Sequence, residues 1–266
     1  MSKEMYAPVG GTAQKITKVY APVNGVARSV KKAYKGVNGV ARQFFTALPP
    51  LDPVFANNTW EDIILACQAG AVPDTWVVGA QKSMTIRGDD YLVDIIGKNH
   101  DEYADGSGKA PLTFQLHNCY VAMKVMFSGN TNVGGWRDSH MRNTHLPSIL
   151  TLMPSAVQAG IREVSKKTTT GEQSNSVVTT SDKLFLLSEV EVFGEIWYSF
   201  PGEGTQYAYY AQGNRVDKMI YGASVSCWER SPYRDSDASF CVVSGYGEMS
   251  FDIASTSLYF APAFCF

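Results

Sequence analysis

The familiar signatures of catalysis are missing from this sequence. No run follows GxGxxG or GxxxxGK[ST], so neither a dinucleotide nor a nucleotide phosphate finds its usual glycine cradle. Gly79 follows a strand-like stretch, but AQKSMTIRG comes after it. No GxSxG elbow raises a serine nucleophile, and Ser231 and Ser244 sit in ordinary turn material, SPY and SGY. HExxH is absent, and the four histidines, His100, His117, His140 and His145, show no zinc spacing with cysteine. Cysteine itself is sparse. Cys67, Cys119, Cys227, Cys241 and Cys265 lie far apart without a CxxC pair, and their odd number leaves at least one thiol without an intrachain partner. Apolar neighbours (CYVAM, FCVV, AFCF) mark most of them as small buried hydrophobes rather than disulfides or ligands. No catalytic residue, metal-ligand set or cofactor is expected.

Neither sign of charge predominates. With 25 acidic and 23 basic residues the formal charge is -2, which lends no support to a phosphate-dominated surface, and no nucleic-acid partner is expected. No apolar run is long enough for a lipid-spanning helix, so no membrane insertion is expected. The opening MSKEMYAPVGG lacks the apolar stretch of a signal peptide. The expectation is accumulation in the cytosol of the producing cell, as for a virion component before lysis. Asp94 with Asp101, or Glu189, Glu191 and Glu195, are the carboxylates that acid–base work would need. The Ser-Glu-Val-Glu-Val alternation instead predicts both of its glutamates on the wet face of a strand. GKNHDEYADGSGK offers Asn99, Asp101, Asp105 and Ser107, yet lacks the glutamate that ends an EF-hand loop, and reads as a hydrated turn.

What is present is apolar and aromatic: 45% hydrophobic residues and 12% Phe, Tyr and Trp, enough for a core and for rigid contact surface. The chain opens with a repeat: YAPVGGTAQKITKV from Tyr6, YAPVNGVARSVKKA from Tyr20 and YKGVNGVARQFF from Tyr34. Each unit turns at Gly10-Gly11, Asn24-Gly25 or Asn38-Gly39, a hairpin signal because both residue types tolerate positive φ. So small a unit needs its repeats or a partner, so residues 1–50 read as a repeated hairpin docking or assembly segment. Leu48-Pro49-Pro50-Leu51-Asp52-Pro53 closes it as a stiff linker.

Residues 51–266 form the body. Thr59 near a cap and Glu61/Asp62 in a first turn predict a helix carrying Ile63, Ile64 and Cys67. SMTIRG and DDYLVDI read as a hairpin, and Thr113 to Phe127 as a strand passing into helix. Asp138 to Met153 and Pro154 to Val164 read as two short helices, the second capped by Ser155. Lys166 to Thr180 is Ser/Thr-rich and reads as a surface loop, Lys183 to Ser188 as a strand, and nothing after Tyr198 as a convincing helix. The class is α+β.

Trp136 is placed to wedge a ring against the sheet, and Arg142 either stays solvated or pairs with a carboxylate, for which Glu189 is the candidate. The apolar ending, Ala261 to Phe266, predicts a terminal strand tied into the core, since an exposed one would be a sticky patch. Between Tyr233 and Tyr259 a framework of Phe240, Cys241, Val243, Gly245, Gly247, Ile253 and Ala254 alternates with Tyr, Ser, Asp and Gly. That mixture suits a contact surface, with rings for area and small polar groups for adaptable hydrogen bonds. The alternative is a Ser/Gly-rich β region with a polar face.

Trp76–Gly79, Ile95–Asp101, Gly134–Arg142 (GGW-x2-S-x-M-R), Leu184–Gly194 (LFLLSEVEVFG), Trp228–Pro232 and the APAFCF ending together resemble the DUF6273 family over residues 60–266. The resemblance implies a C-type-lectin-like (formylglycine-generating-enzyme-like) domain. The ending is also similar to variable proteins of diversity-generating retroelements, in which a C-terminal stretch is rewritten on such a frame. By that pattern the changeable, ligand-binding positions are Ser224, Ser226, Tyr233, Arg234, Asp235, Ser236, Ser239, Ser244, Tyr246, Glu248, Ser250, Phe251, Asp252, Ser255, Ser257, Leu258 and Tyr259. Trp228, Arg230, Pro232, Phe240, Phe264 and Cys265 would be scaffold. Here the usual paired tryptophans are Cys227-Trp228, and Tyr259-Phe260 replaces the usual Gly-Val before the ending.

The N-terminal units resemble segments of proteins encoded near phage tail genes. The implied role is a phage or prophage receptor-binding protein on a tail or virion. Its partners would be a host-cell surface protein or glycan, a virion protein through residues 1–50, and further copies of itself. A structural virion protein, either capsid decoration or tail component, would use the same fold for subunit contacts alone. An oxidase related to the family's enzymatic cousins would need cysteines such as Cys227 and Cys241, but no copper ligand or base stands beside them in the sequence.

Overall fold

A computed structural model describes residues 6–9, 12–15, 19–23, 26–30, 32–37, 40–46 and 48–266. The repeat forms three antiparallel pairs: β1 (Tyr6–Val9) with β2 (Thr12–Lys15), β3 (Tyr20–Val23) with β4 (Val26–Ser29), and β5 (Lys32–Val37) with β6 (Val40–Thr46). Their registers correspond, with Val9↔Thr12, Val23↔Val26 and Val37↔Val40 innermost, as the repeat predicts. The Gly10-Gly11, Asn24-Gly25 and Asn38-Gly39 turns lie outside the described residues. Leu48 and Leu51 of the proline segment pack against the core of the body.

The body begins at α1 (Trp60–Gln68), where Thr59 and Asp62 form a reciprocal capping box that satisfies two backbone donors. Its buried stripe, Trp60, Ile63, Ile64 and Cys67, faces the sheet. β7 (Gln81–Ile86) and β8 (Asp89–Gly97) pair as the predicted hairpin, and β9 (Thr113–Leu116) follows. The main sheet has the order β12-β18-β9-β8-β7, with β12 at Leu184–Phe185 and β18 at Ala263–Cys265. The last residues of the chain thus occupy a central strand. Leu184, Phe264, Phe114 and Ile95 are cross-strand partners in one row. Phe55, Trp60, Trp76, Phe114, Phe264 and Phe266 interlock beneath it with ring centroids 5.2–6.4 Å apart.

Further elements are α2 (Gly135–Asp138), a π-helical turn (Met141–His145) leading into α3 (Leu146–Leu150), α4 (Ser155–Gly160), the β10–β11 ribbon (Val164–Gly171, Ser174–Asp182), α5 (Glu189–Phe193), α6 (Ala208–Ala211) and the β13–β14 ribbon (Lys218–Ile220, Ala223–Val225). A second sheet then runs β15 (Cys227–Pro232), β16 (Ser239–Val243), β17 (Met249–Ile253).

The architecture is mixed α+β, mostly antiparallel, and several local expectations need correction. Lys166 to Thr180 is a long hairpin rather than a loop, because Thr and Val favour strands and its polar side chains find buried partners. Thr113 to Phe127 is strand only to Leu116 and never becomes helix. Strand pairing between Lys183 and Ser188 covers only β12. Pro154, not Ser155, stands at the N-terminus of α4, and no side chain caps it. A single-turn helix, α6, falls in the region read as helix-free. Of the cysteines, Cys67, Cys241 and Cys265 are free and buried, whereas Cys119 and Cys227 are joined in a disulfide. Cys227 is therefore not partnered with Cys241.

Candidate binding surface

The frame beneath the Tyr233–Tyr259 segment is held by buried charge. Every residue of β15 is buried, and Arg230, fully enclosed, directs its guanidinium into a polar interior. Its Nε donates to Thr168 Oγ1 (3.1 Å), Nη1 to Leu186 O (3.0 Å) and Glu191, and Nη2 to Glu191 Oε1 (2.9 Å), Lys167 O (3.2 Å) and Glu203 O (2.6 Å). Lys166 Nζ donates to Glu191 (2.7 Å) and Asp101 (2.7 Å). Such groups are tolerable in a dry interior only because their partners meet them there. Burial pushes the Asp101 carboxyl up, but Lys166 and Thr113 outweigh it and hold it at about 2. Burial likewise raises Glu191, and Arg230 and Lys166 bring it below its ordinary value. Glu203 stays raised by burial despite accepting from Thr169 (2.8 Å) and Ser231. The predicted wet-face positions of Glu189 and Glu191 are thus overturned: both lie on α5, at 0% and 2% exposure.

Trp136 does wedge inward, its indole donating to Asp182 (3.1 Å). Arg142 pairs with that same Asp182 (2.5 Å) rather than with Glu189. Asp101 and Asp105 do not share a site, since Asp105 binds Arg162 (2.7 Å) on the surface. Among the described residues, no group of three or more His, Cys, Asp or Glu is placed to hold a metal.

Glu189 does something different. Its carboxylate accepts the backbone N–H groups of Trp197 (3.2 Å), Tyr198 (2.9 Å) and Ser199 (2.8 Å), plus the Ser199 hydroxyl (2.7 Å). A buried anion in a concave row of N–H groups pins this loop to the frame. The loop in turn delivers Tyr198 to the C-terminal segment, where Arg234 N donates to Tyr198 O (2.7 Å).

The second sheet then sorts the positions expected to form the contact surface. β16 is wholly buried, while β17 alternates at the sheet edge. The pairing Cys241↔Phe251 and Val242↔Ser250 puts Met249, Phe251 and Ile253 on one face and Ser250 and Asp252 on the other. Phe251 stacks on Tyr233 (4.1 Å), and Tyr198 meets both edge-on (5.2 and 5.6 Å). Beyond β17, Ser255 bonds Asn130, while Leu258 pairs with Lys124 through backbone and is half-buried, as is Tyr259. At the other end of the hairpin, Ser244 to Glu248 form a turn with Tyr246 at its tip, 92% exposed. Gly247 there has φ +77°, a left-handed conformation that glycine adopts freely. This turn lies against the β13–β14 ribbon, where Ser224 bonds Asp217 (2.8 Å).

Asp235, Glu248 and Ser257 are exposed, and Ser226, Arg234, Ser236, Ser244, Ser250 and Asp252 are partly so. Ser239 is the exception. It is buried, its carbonyl accepting from Asn132 Nδ2 (2.9 Å), because it opens the fully enclosed β16. Ile253, expected as framework, stands 44% exposed beside Phe251 and belongs to the surface. Trp197 and Tyr198 were missed, and the one available signal was the unusual density of aromatics in Ile196–Phe200.

The family matched over residues 114–266 is described as a domain of unknown function, DUF6273, and the match covers more than half of the chain. The chain belongs to the DUF6273 family. No curated protein and no solved structure matches it. In this DUF6273 chain the matched span starts on β9, later than the resemblance noted from residue 60. It contains the β15–β16–β17 surface, the Glu189-held loop, Arg230 with its partners, and both disulfide cysteines. Asp101, α1, β7 and β8 complete the frame from outside it.

Proposed function

We propose that this protein is a phage or prophage receptor-binding protein. On this reading, a C-type-lectin-like frame presents the Tyr233–Tyr259 surface to a host-cell surface protein or glycan. Residues 1–50 attach it to a tail or virion, and the protein works as a homo-oligomer without catalysis. The observation that carries the reading is the separation of stability from display. Arg230, Glu191, Lys166 and the aromatic core lie under the segment, while Tyr246, Phe251 and Ile253 extend outward from it at 92%, 43% and 44% exposure. Rigid exposed rings are the side chains from which contact surfaces draw most of their energy. Several copies on one particle would strengthen individually weak contacts.

The C-terminal stretch would be diversified if a reverse transcriptase and an adenine-rich near-copy of its coding sequence lie nearby. The functional test is co-sedimentation of the full chain with cell envelopes of the bacterium that yields the phage. The Tyr246→Ala/Phe251→Ala chain should lose about tenfold or more in retention, with Tm lowered by no more than a few degrees for the lost Phe251–Tyr233 stacking. Equal retention of the two proteins refutes the reading.

A further inference from the structure

Charge along the Tyr233–Tyr259 segment is one-sided. From Tyr233 to Tyr259 the acids are Asp235, Asp237, Glu248 and Asp252 and the one base is Arg234, a net of three negative charges in a chain whose total is -2. Arg234 and Asp235 form an exposed pair, Nε 3.5 Å from the carboxylate, which leaves the net negative charge to Asp237, Glu248 and Asp252. Asp252 turns to its own strand end, accepting from Ile253 N (2.7 Å) and Thr256 Oγ1 (2.8 Å), whereas Asp235, Asp237 and Glu248 are exposed. Glu195 adds a further exposed carboxylate where it accepts the Trp197 indole N–H (3.1 Å). Three rings of this region reach solvent: Trp197 is 59% exposed, Tyr246 92%, and Phe251 43% with one face stacked on Tyr233. Aromatic faces carry negative quadrupole charge and attract ammonium and guanidinium groups, so rings and carboxylates favour the same kind of visitor. The supporting strand adds a preference for polypeptide. β17 pairs with β16 on one side, and among the described residues no strand pairs with its other edge. An edge strand offers main-chain donors and acceptors that an extended peptide matches and a sugar does not.

We infer that the partner of this surface is a basic, extended polypeptide segment. Its lysine or arginine side chains lie among Glu195, Asp235, Asp237 and Glu248 and over the rings of Trp197, Tyr246 and Phe251. This rests on the binding reading above and narrows its partner from protein or glycan to protein.

The test is an NMR and tryptophan-fluorescence titration of the full chain. The probes are an alternating lysine–serine peptide, the corresponding glutamate–serine peptide and a neutral glucan oligosaccharide. The lysine peptide should move the signals of Trp197, Tyr246 and Phe251, and its affinity should fall several-fold between low and physiological salt. The Asp235→Asn/Asp237→Asn/Glu248→Gln chain, altered only at exposed positions, should bind it about tenfold more weakly. Stronger binding of the glutamate peptide or the glucan, no response to the lysine peptide, or unchanged affinity in the triple variant would each overturn the inference. Envelope retention is read in parallel. Retention that depends on Tyr246 and Phe251, alongside indifference to the lysine peptide, leaves the display reading standing and removes the basic partner alone.

Discussion

Replacing Glu229 by glutamine should stabilise the protein at neutral pH and leave it almost unchanged in acid. Glu229 lies on β15 at 2% exposure, and neither carboxylate oxygen accepts a hydrogen bond from the described residues. Burial pushes its pKa well above the ordinary 4.5, and the neighbouring Glu189 and Glu203 carboxylates push it further. The sign follows from proton linkage. Below pH 4.5 the folded and unfolded chains both hold the proton, and the group has no effect on stability. As pH rises above that value the unfolded chain releases the proton while the folded chain keeps it. Stability then falls by about 1.4 kcal/mol for each pH unit until the folded pKa is reached. Glutamine cannot ionise, and its amide meets the same unpaired surroundings at every pH, so it adds only a constant offset. The difference between the two proteins should therefore grow with pH and then level off. Each kcal/mol gained would raise Tm by roughly 2–4 °C in a protein of this size. Urea unfolding of both proteins from pH 4 to pH 8 measures it directly. Parallel stability curves would refute the argument, because they would mean that Glu229 is as readily ionised inside the fold as outside it.

The remaining expectations concern the loop, the disulfide and the buried arginine. Glu189→Ala should release Trp197, Tyr198 and Ser199, costing about 3–5 kcal/mol, because three backbone donors lose a charged acceptor. The check is faster proteolysis between α5 and α6 together with altered Trp197 fluorescence; an unchanged cleavage pattern would count against the pinning role. Opening the Cys119–Cys227 bond by Cys119→Ser/Cys227→Ser should lower stability by about 2–5 kcal/mol, since it closes a span of 108 residues. Calorimetry with and without reductant reads this, and identical transitions would refute it. Arg230→Lys should fail to rescue Arg230→Ala, because a single ammonium cannot reach Thr168, Leu186, Glu191 and Glu203 together. Denaturant midpoints of the two variants should nearly coincide, and a lysine variant as stable as the native chain would sink that expectation.

Local chemistry was legible from residue order alone. The start of α1 at Thr59, the β7–β8 hairpin, the fourteen-residue repeat and the terminal strand all rest on neighbours a few positions apart. A cap or a turn carries its own stereochemical signature there. The exposed ring of Tyr246 was legible for the same reason, set between two glycines among small polar residues.

The fate of charge, by contrast, was settled by long-range contacts. Glu189 and Glu191 alternate with valine just as exposed residues would, and Lys166 begins a Ser/Thr-rich stretch. A carboxylate is buried when a distant partner makes burial tolerable, and those partners lie far along the chain. Arg230 comes to Glu191 across 39 residues, and Lys166 to Asp101 across 65. Arg142 turned to Asp182, 40 residues away, because the β10–β11 hairpin carries that aspartate under Trp136. Trp197 and Tyr198 joined the surface by the same route, through a glutamate whose task appears only once the loop folds over it. Residue order showed the start of α1, the β7–β8 hairpin, the repeat and the terminal strand, but not the β10–β11 hairpin, α6 or the exposed ring of Trp197. The fold determined which charges meet, because the energy of a buried ion depends on what surrounds it and not on what adjoins it in the chain.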